Sequence, residues 1–248
     1  MADNKDKRTG SLHSELNIEL HSHYAIGLWQ GRREEKGEDG KSGKPAIMGM
    51  PRFLSLASKI NLDSLKNNPW ADMAMLALEE KISEASQTMT GLIANLDKET
   101  QLLPSGVSLT EAGVATPLDI KVFSNTPLGY RCVYLLIGFD QFAKKALQAS
   151  HYGLISRAKR DQLLSEGGRL IRQIYGSVVR YKSFEVSRQD ATEKNATWLQ
   201  AINDLGEPDM DVLLGKRRSA FSPPVNEASV KLLKIRYRDQ IVAVKSAQ

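Results

Sequence analysis

A chain of 248 residues with 41 % hydrophobic and 25 % charged side chains can bury one substantial core or two small ones, which excludes an intrinsically disordered protein. A single cysteine, Cys132, excludes an internal disulfide framework and a cysteine-based zinc site and fits a reducing cytoplasm. The longest apolar run, "CVYLLIGF", falls far short of the ~20 residues of a membrane helix, and "MADNKDKRTGS" has no apolar core behind its charges, so neither membrane insertion nor export is expected.

Residues 1–11 are expected to be disordered. "SELNIELHSHYAIGLWQGRR" opens with Leu16, Ile18 and Leu20 alternating against Glu15, Asn17, Glu19 and His21, the pattern of a half-buried strand. Ser22 is placed to cap a short helix carrying Tyr24, Ile26, Leu28 and Trp29. "GRREEKGEDGKSGKPA" offers nothing to bury, which predicts a mobile loop over 32–46. "PRFLSLASKI" is helical in pattern. A long amphipathic helix then starts at Pro69, with Met73, Leu76, Leu78, Ile82, Met89 and Ile93 along one stripe.

Residues 103–117 have the glycine, proline and threonine of a connection. "LDIKVFS" alternates Leu118, Ile120 and Val122 against Asp119 and Lys121, and "NTPLG" makes a turn into the β-rich "YRCVYLLI"; a hairpin or two neighbouring strands are predicted. "GFDQFAKKALQAS" predicts a helix with Phe139, Phe142, Ala143, Ala146 and Leu147 inward and Lys144 and Lys145 outward, closed by Tyr152 and Gly153. A further helix starts at Ser156, with a bend expected at Gly167 and Gly168, and carries Leu170, Ile171, Ile174 and Val178. "TWLQAINDLG" predicts a short helix before a basic loop, and the basic segment 226–248 fits helix or strand. No internal repeat is present. The fold class is α+β, a mainly helical body with a small antiparallel sheet in one globular domain over 12–225.

The charge pattern is more informative than its net of +5. Residues 139–183 hold nine Lys/Arg against three acids and residues 215–248 eight against two, whereas residues 184–214 hold two against seven. Such segregation is the footprint of a polyanion binder, and equally of basic segments that pair with a protein's own acids. Within the first segment, the helix from Ser156 begins with Arg157, Lys159 and Arg160. A helix N-terminus already carries about half a positive charge, so cations there are unfavourable unless solvent and Asp161 offset them or an anion is bound.

Residues 130–181 read strand, helix, short turn, Ser-capped helix, which resembles the ribbon-helix-helix unit, the candidate DNA-binding unit covering about 117–182 with the neighbouring strand. The resemblance implies that two chains pair one strand each into a ribbon that enters the DNA major groove, while the second helix grips a phosphate through Ser156, Arg157, Lys159 and Arg160. Arg131 is the cation on the expected strand, yet "RCVYLLI" is nearly apolar on both faces and suits a central strand better. Base reading would then fall to the neighbouring strand, with Lys121, or to the N-terminal one, with Asn17 and His21.

Other cations have two readings each. Lys216, Arg217 and Arg218 in "GKRRSAFSPP" suit either phosphates or the acidic "NDLGEPDMD" just before them. Lys144 and Lys145, like Arg169 and Arg172, suit a solvated helix face or phosphate contact, and Lys231, Lys234, Arg236 and Arg238 form another basic patch. His13, His21 and His23 with Glu15 and Glu19 lack a recognised metal-ligand spacing, and neither a phosphate loop nor a nucleophile motif is present. No cofactor, metal or catalytic role is expected.

The ordered series "LHSHYAIGLWQGR", "NPWADMAMLALEEKI", "LGYRCVYLL", "DQFAKKAL", "SEGGRLIR" and "LLGKRRSAFSPP", spanning roughly residues 12–225, resembles the AcaB-like transcriptional regulators of conjugative elements. That resemblance implies a cytoplasmic homodimer that binds double-stranded promoter DNA and activates transfer genes; RNA polymerase is a candidate further partner, and whether activation works by contacting it is left open by the sequence. The alternative is a non-enzymatic interaction or assembly component of the conjugation apparatus.

Overall fold

A computed structural model describes residues 15–34, 45–101, 103, 106–110 and 116–237; the expected disordered N-terminus, most of the 32–46 loop and residues 238–248 lie outside this set. The elements are β1 (Leu16–Leu20), α1 (His23–Gln30), α2 (Met50–Leu65), α3 (Pro69–Thr100), β2 (Leu118–Val122), α4 (Pro127–His151), α5 (Arg157–Val179), α6 (Arg188–Glu193), α7 (Ala196–Leu205), α8 (Met210–Leu213) and α9 (Glu227–Arg236). The fold is α+β. Its two-stranded antiparallel sheet sets Asn17 opposite Lys121 and Glu19 opposite Asp119.

The alternation of β1 buries Ile18 and Leu20, and the strand turns into α1 where the Ser22 hydroxyl accepts from the Ala25 N–H at 3.1 Å. The buried Asp140 carboxylate of α4 accepts from the backbone N–H groups of His21 and Ser22, at 3.0 and 2.7 Å, and so fixes this turn to the helical body. α3 starts where Pro69 needs no donor and the Asn68 side chain accepts from Trp70 and Ala71 N–H.

Residues 130–137, expected as a strand, form the first turns of α4. The reason is a single stripe: Leu128, Cys132, Leu135, Leu136, Phe139, Phe142, Ala146 and Ala149 recur every three or four residues and are all buried. Continuity of that stripe with the following helix outweighs the β preference of Tyr, Val and Ile. The expected hairpin is therefore absent, and β2 pairs with β1 of the same chain. The strand, helix, helix order expected over 130–181 is not found: the expected strand and the helix after it are the single helix α4, and β2 before it pairs within the same chain. Cys132 is fully buried, and burial pushes its thiol well above the usual range.

α5 runs unbroken through Gly167 and Gly168. A Cβ at Gly167 would sit 2.7 Å from the Phe139 ring, so the missing side chain lets α4 and α5 approach. The main core is built by β1, β2 and α1–α5, and a second cluster gathers Val186, Ala191, Trp198, Leu213, Leu214 and Leu233 around Trp70 at the start of α3. The basic C-terminal segment thus begins as α9, with Leu233 in this cluster.

The second cluster is fastened to α3 by charge. The Asp72 carboxylate, fully buried on α3, accepts from Arg188 of α6 at 2.7 Å, from Arg218 at 2.9 and 3.0 Å, and from the Ser64 hydroxyl. Arg188 is itself fully buried and also donates to the Val212 and Leu213 carbonyls at the end of α8, at 2.7 and 2.8 Å. Burial pushes its guanidinium down from its ordinary value, and Asp72 acts in the opposite sense. Asp72→Asn is predicted to lower unfolding free energy by about 3–5 kcal/mol, because it strands two guanidinium charges in low dielectric. Urea unfolding followed by tryptophan fluorescence measures this, and an unchanged midpoint would show the network to be energetically neutral.

Candidate nucleic-acid interface

The candidate contacts divide by whether the protein already occupies them. On the ribbon, Lys121 donates to Glu15 at 3.0 Å, both side chains being exposed. The outward residues here are Asn17, Glu19, Asp119 and Lys121, so the ribbon face among the described residues carries more carboxylate than cation. His23 is the first residue of α1 rather than part of the strand, and His13 lies outside the described residues. Among the described residues no group of three His, Cys, Asp or Glu is placed to hold a metal.

On α4, Arg131 is turned toward its own protein. It lies 3.7 Å from Glu79, donates to Ser83 of α3 at 3.2 Å, and stacks its guanidinium 5.1 Å from the Phe221 ring centre. Lys145 is paired with Asp97 at 2.8 Å, and its neighbour Lys144 is half-buried. In the basic loop, Lys216 meets Asp211 at 3.0 Å and Arg217 meets Asp209 at 3.1 Å. Of the two readings open for that loop, pairing with the preceding acidic segment is the one seen for Lys216 and Arg217, while Arg218 turns inward to Asp72.

α5 is different. The Ser156 hydroxyl accepts from the Lys159 N–H at 3.2 Å, capping the helix as its sequence position suggests. Arg160 is held by Asp161 at 2.7 Å, but Arg157 and Lys159 are exposed and have no ion-pair partner among the described residues. Beyond the first turn, Arg169, Arg172 and Arg180 are likewise exposed. Together with Gln173, Gly176 and Ser177 of α5 and Lys81 of α3 they line a hollow of ≈ 450 Å³. Arg169 and Arg172 were visible in the sequence as an i, i+3 pair. Lys81 was not, because only the packing of α3 against α5 brings it there.

A family model described as transcriptional regulator AcaB matches residues 8–226. The chain belongs to the AcaB family of transcriptional regulators. Its fold is similar to that in the crystal structure of selenomethionine-containing AcaB from uropathogenic E. coli, with a TM-score of 0.53 at 11 % identity over 88 % of this chain and 94 % of that one. No curated protein sequence matches the chain. At so low an identity the likeness speaks for the AcaB fold and not for any residue's role. Transcriptional regulation is in general a non-enzymatic function, and no helix among the described residues is long and apolar enough to cross a membrane.

Proposed function

We propose that this chain is a sequence-specific DNA-binding activator of conjugative-transfer genes that acts on promoter DNA as a homodimer. The observation that carries DNA binding is the Ser156-capped start of α5, where Arg157 and Lys159 stand unpaired beside the positive end of a 23-residue helix. Unfavourable there in the free protein, these charges become favourable once a backbone phosphate meets them. Membership of the AcaB family supports the regulatory role, the dimer and the transfer genes rest on the resemblance rather than on geometry, and RNA polymerase is a candidate partner of an activator. The acid-rich ribbon and the internally neutralised 216–218 loop favour the second reading, an interaction component of the conjugation apparatus that meets a protein partner.

Phosphate contacts act alike on all sequences, whereas base contacts do not. Arg157→Ala combined with Lys159→Ala is therefore expected to weaken promoter and random duplex by the same factor and to lower the salt dependence of binding, as read by equilibrium titration at two salt concentrations. Unchanged affinity would remove this helix start from the interface.

For base reading we propose Lys121 with Asn17 opposite it, since both residue types donate to purine edges in the major groove. Lys121 must first leave Glu15, and exposed pairs of this kind are worth about 0–1 kcal/mol. Lys121→Ala is expected to lower promoter affinity by roughly tenfold, in line with about 1–3 kcal/mol per base contact, with little effect on random DNA. Equal loss on both would take Lys121 out of base reading.

A further inference from the structure

The hollow between α3 and α5 is built differently from every other charged surface described above. Its lining side chains are Lys81, Arg169, Arg172, Gln173, Ser177 and Arg180: four cations, an amide and a hydroxyl, with no carboxylate and no apolar side chain. Several other cations, Lys121, Lys145, Arg160, Lys216, Arg217 and Arg218, are met by acids. None of Lys81, Arg169, Arg172 or Arg180 has an ion-pair partner among the described residues. Glu84 lines the adjoining smaller hollow with Lys81, and Glu166 lies one turn before Arg169 on α5.

Spacing adds direction. Arg169, Arg172, Gln173, Gly176, Ser177 and Arg180 recur at three- and four-residue intervals along α5, so they form one straight stripe opposite the buried Ile171, Ile174 and Val178. From Arg169 to Arg180 the stripe is roughly 16 Å long at about 1.5 Å per residue. Lys159 falls on the same half of the helix, whereas Arg157 and Arg160 fall on the other. Like charges one turn apart on a helix repel, and between Arg169 and Arg180 no acid intervenes to offset them; Glu166 stands one turn before Arg169.

We propose that this face is a track for the phosphate backbone of duplex DNA, with Arg169, Arg172, Arg180 and Lys81 supplying charge and the Gln173 amide donating to phosphate oxygens, while the Ser177 hydroxyl is already given to the Ile174 carbonyl at 2.6 Å. The inference rests on the DNA-binding reading and extends it from the start of α5 to most of the helix's length. An extended row of phosphates fits a straight row of cations, and no apolar side chain lines the hollow to anchor a hydrophobic residue of a peptide. Three arginines lost from such a track should lower the slope of log K against log salt by about 0.9 each.

The test is the full chain carrying Arg169→Gln, Arg172→Gln and Arg180→Gln together, compared with the wild type and with the three Arg→Lys replacements, against promoter and random duplex over a range of salt. The Gln variant is expected to lose at least tenfold in affinity on both DNAs and about two to three in salt slope, with its unfolding temperature unchanged, since all three side chains are exposed. The Lys variant should keep most of the binding. A wild type that binds no duplex at low salt would overturn the DNA-binding reading and this inference with it. A wild type that binds duplex together with a Gln variant that binds equally well, with the same slope, would overturn the track alone. Polyglutamate of matched charge is run alongside; if it binds more tightly than duplex and the Gln variant loses it, the face serves an acidic protein partner and the proposal falls.

Discussion

The orientation of the C-terminal third of this protein depends on one buried carboxylate. Asp72 lies in the first turn of α3 and receives a guanidinium from α6 and another from the loop after α8. None of the three charges could remain in the interior alone, because desolvation of a single ion costs several kcal/mol. Together they fix where the second hydrophobic cluster sits. Arg188 extends the arrangement by donating to carbonyls at the end of α8, groups that a four-residue helix cannot satisfy internally. α3 thus joins two cores: its first turn holds the second cluster, and the stripe from Met75 through Ile82 to Met89 packs in the first.

Much of this was legible in the chain. The strand at Leu16–Leu20, the caps at Ser22 and Ser156, the long helix from Pro69 and the strand at Leu118–Val122 follow from alternation, capping chemistry and an apolar stripe, all of them local. The first turns of α4 were not, because Tyr130 to Ile137 is apolar on nearly every side, Arg131 apart, and a short apolar run has no period of its own. Only its continuity with the stripe from Phe139 to Ala149 decides for helix. The network around Asp72 was also hidden. Arg188 is one of two cations among seven acids in residues 184–214, where a solvent-exposed pairing is the natural reading, and nothing local marks it as buried.

The same distinction runs through the candidate site. A basic segment in sequence is a sum over residues, but in the folded chain each cation is either paired or free. The 215–218 loop, as basic as any stretch in sequence, is spent on Asp209, Asp211 and Asp72. The outward face of α5 retains its charge because its acids are few: Asp161 is paired with Arg160, and no carboxylate lines the hollow with Arg169, Arg172 and Arg180. Spacing along α5 was readable in advance. Which cations would stay unpaired, and that Lys81 would join them, depended on the packing of α3 against α5.

The most direct measurement is a chemical footprint of lysine and arginine side chains, with reactivity read by mass spectrometry in the absence and presence of promoter duplex. The account predicts protection of Lys81, Arg157, Lys159, Arg169, Arg172 and Arg180 by DNA, with Lys145 and Lys216 unchanged. Protection confined to the 216–218 loop and α9, or no protection anywhere on α5, would contradict it.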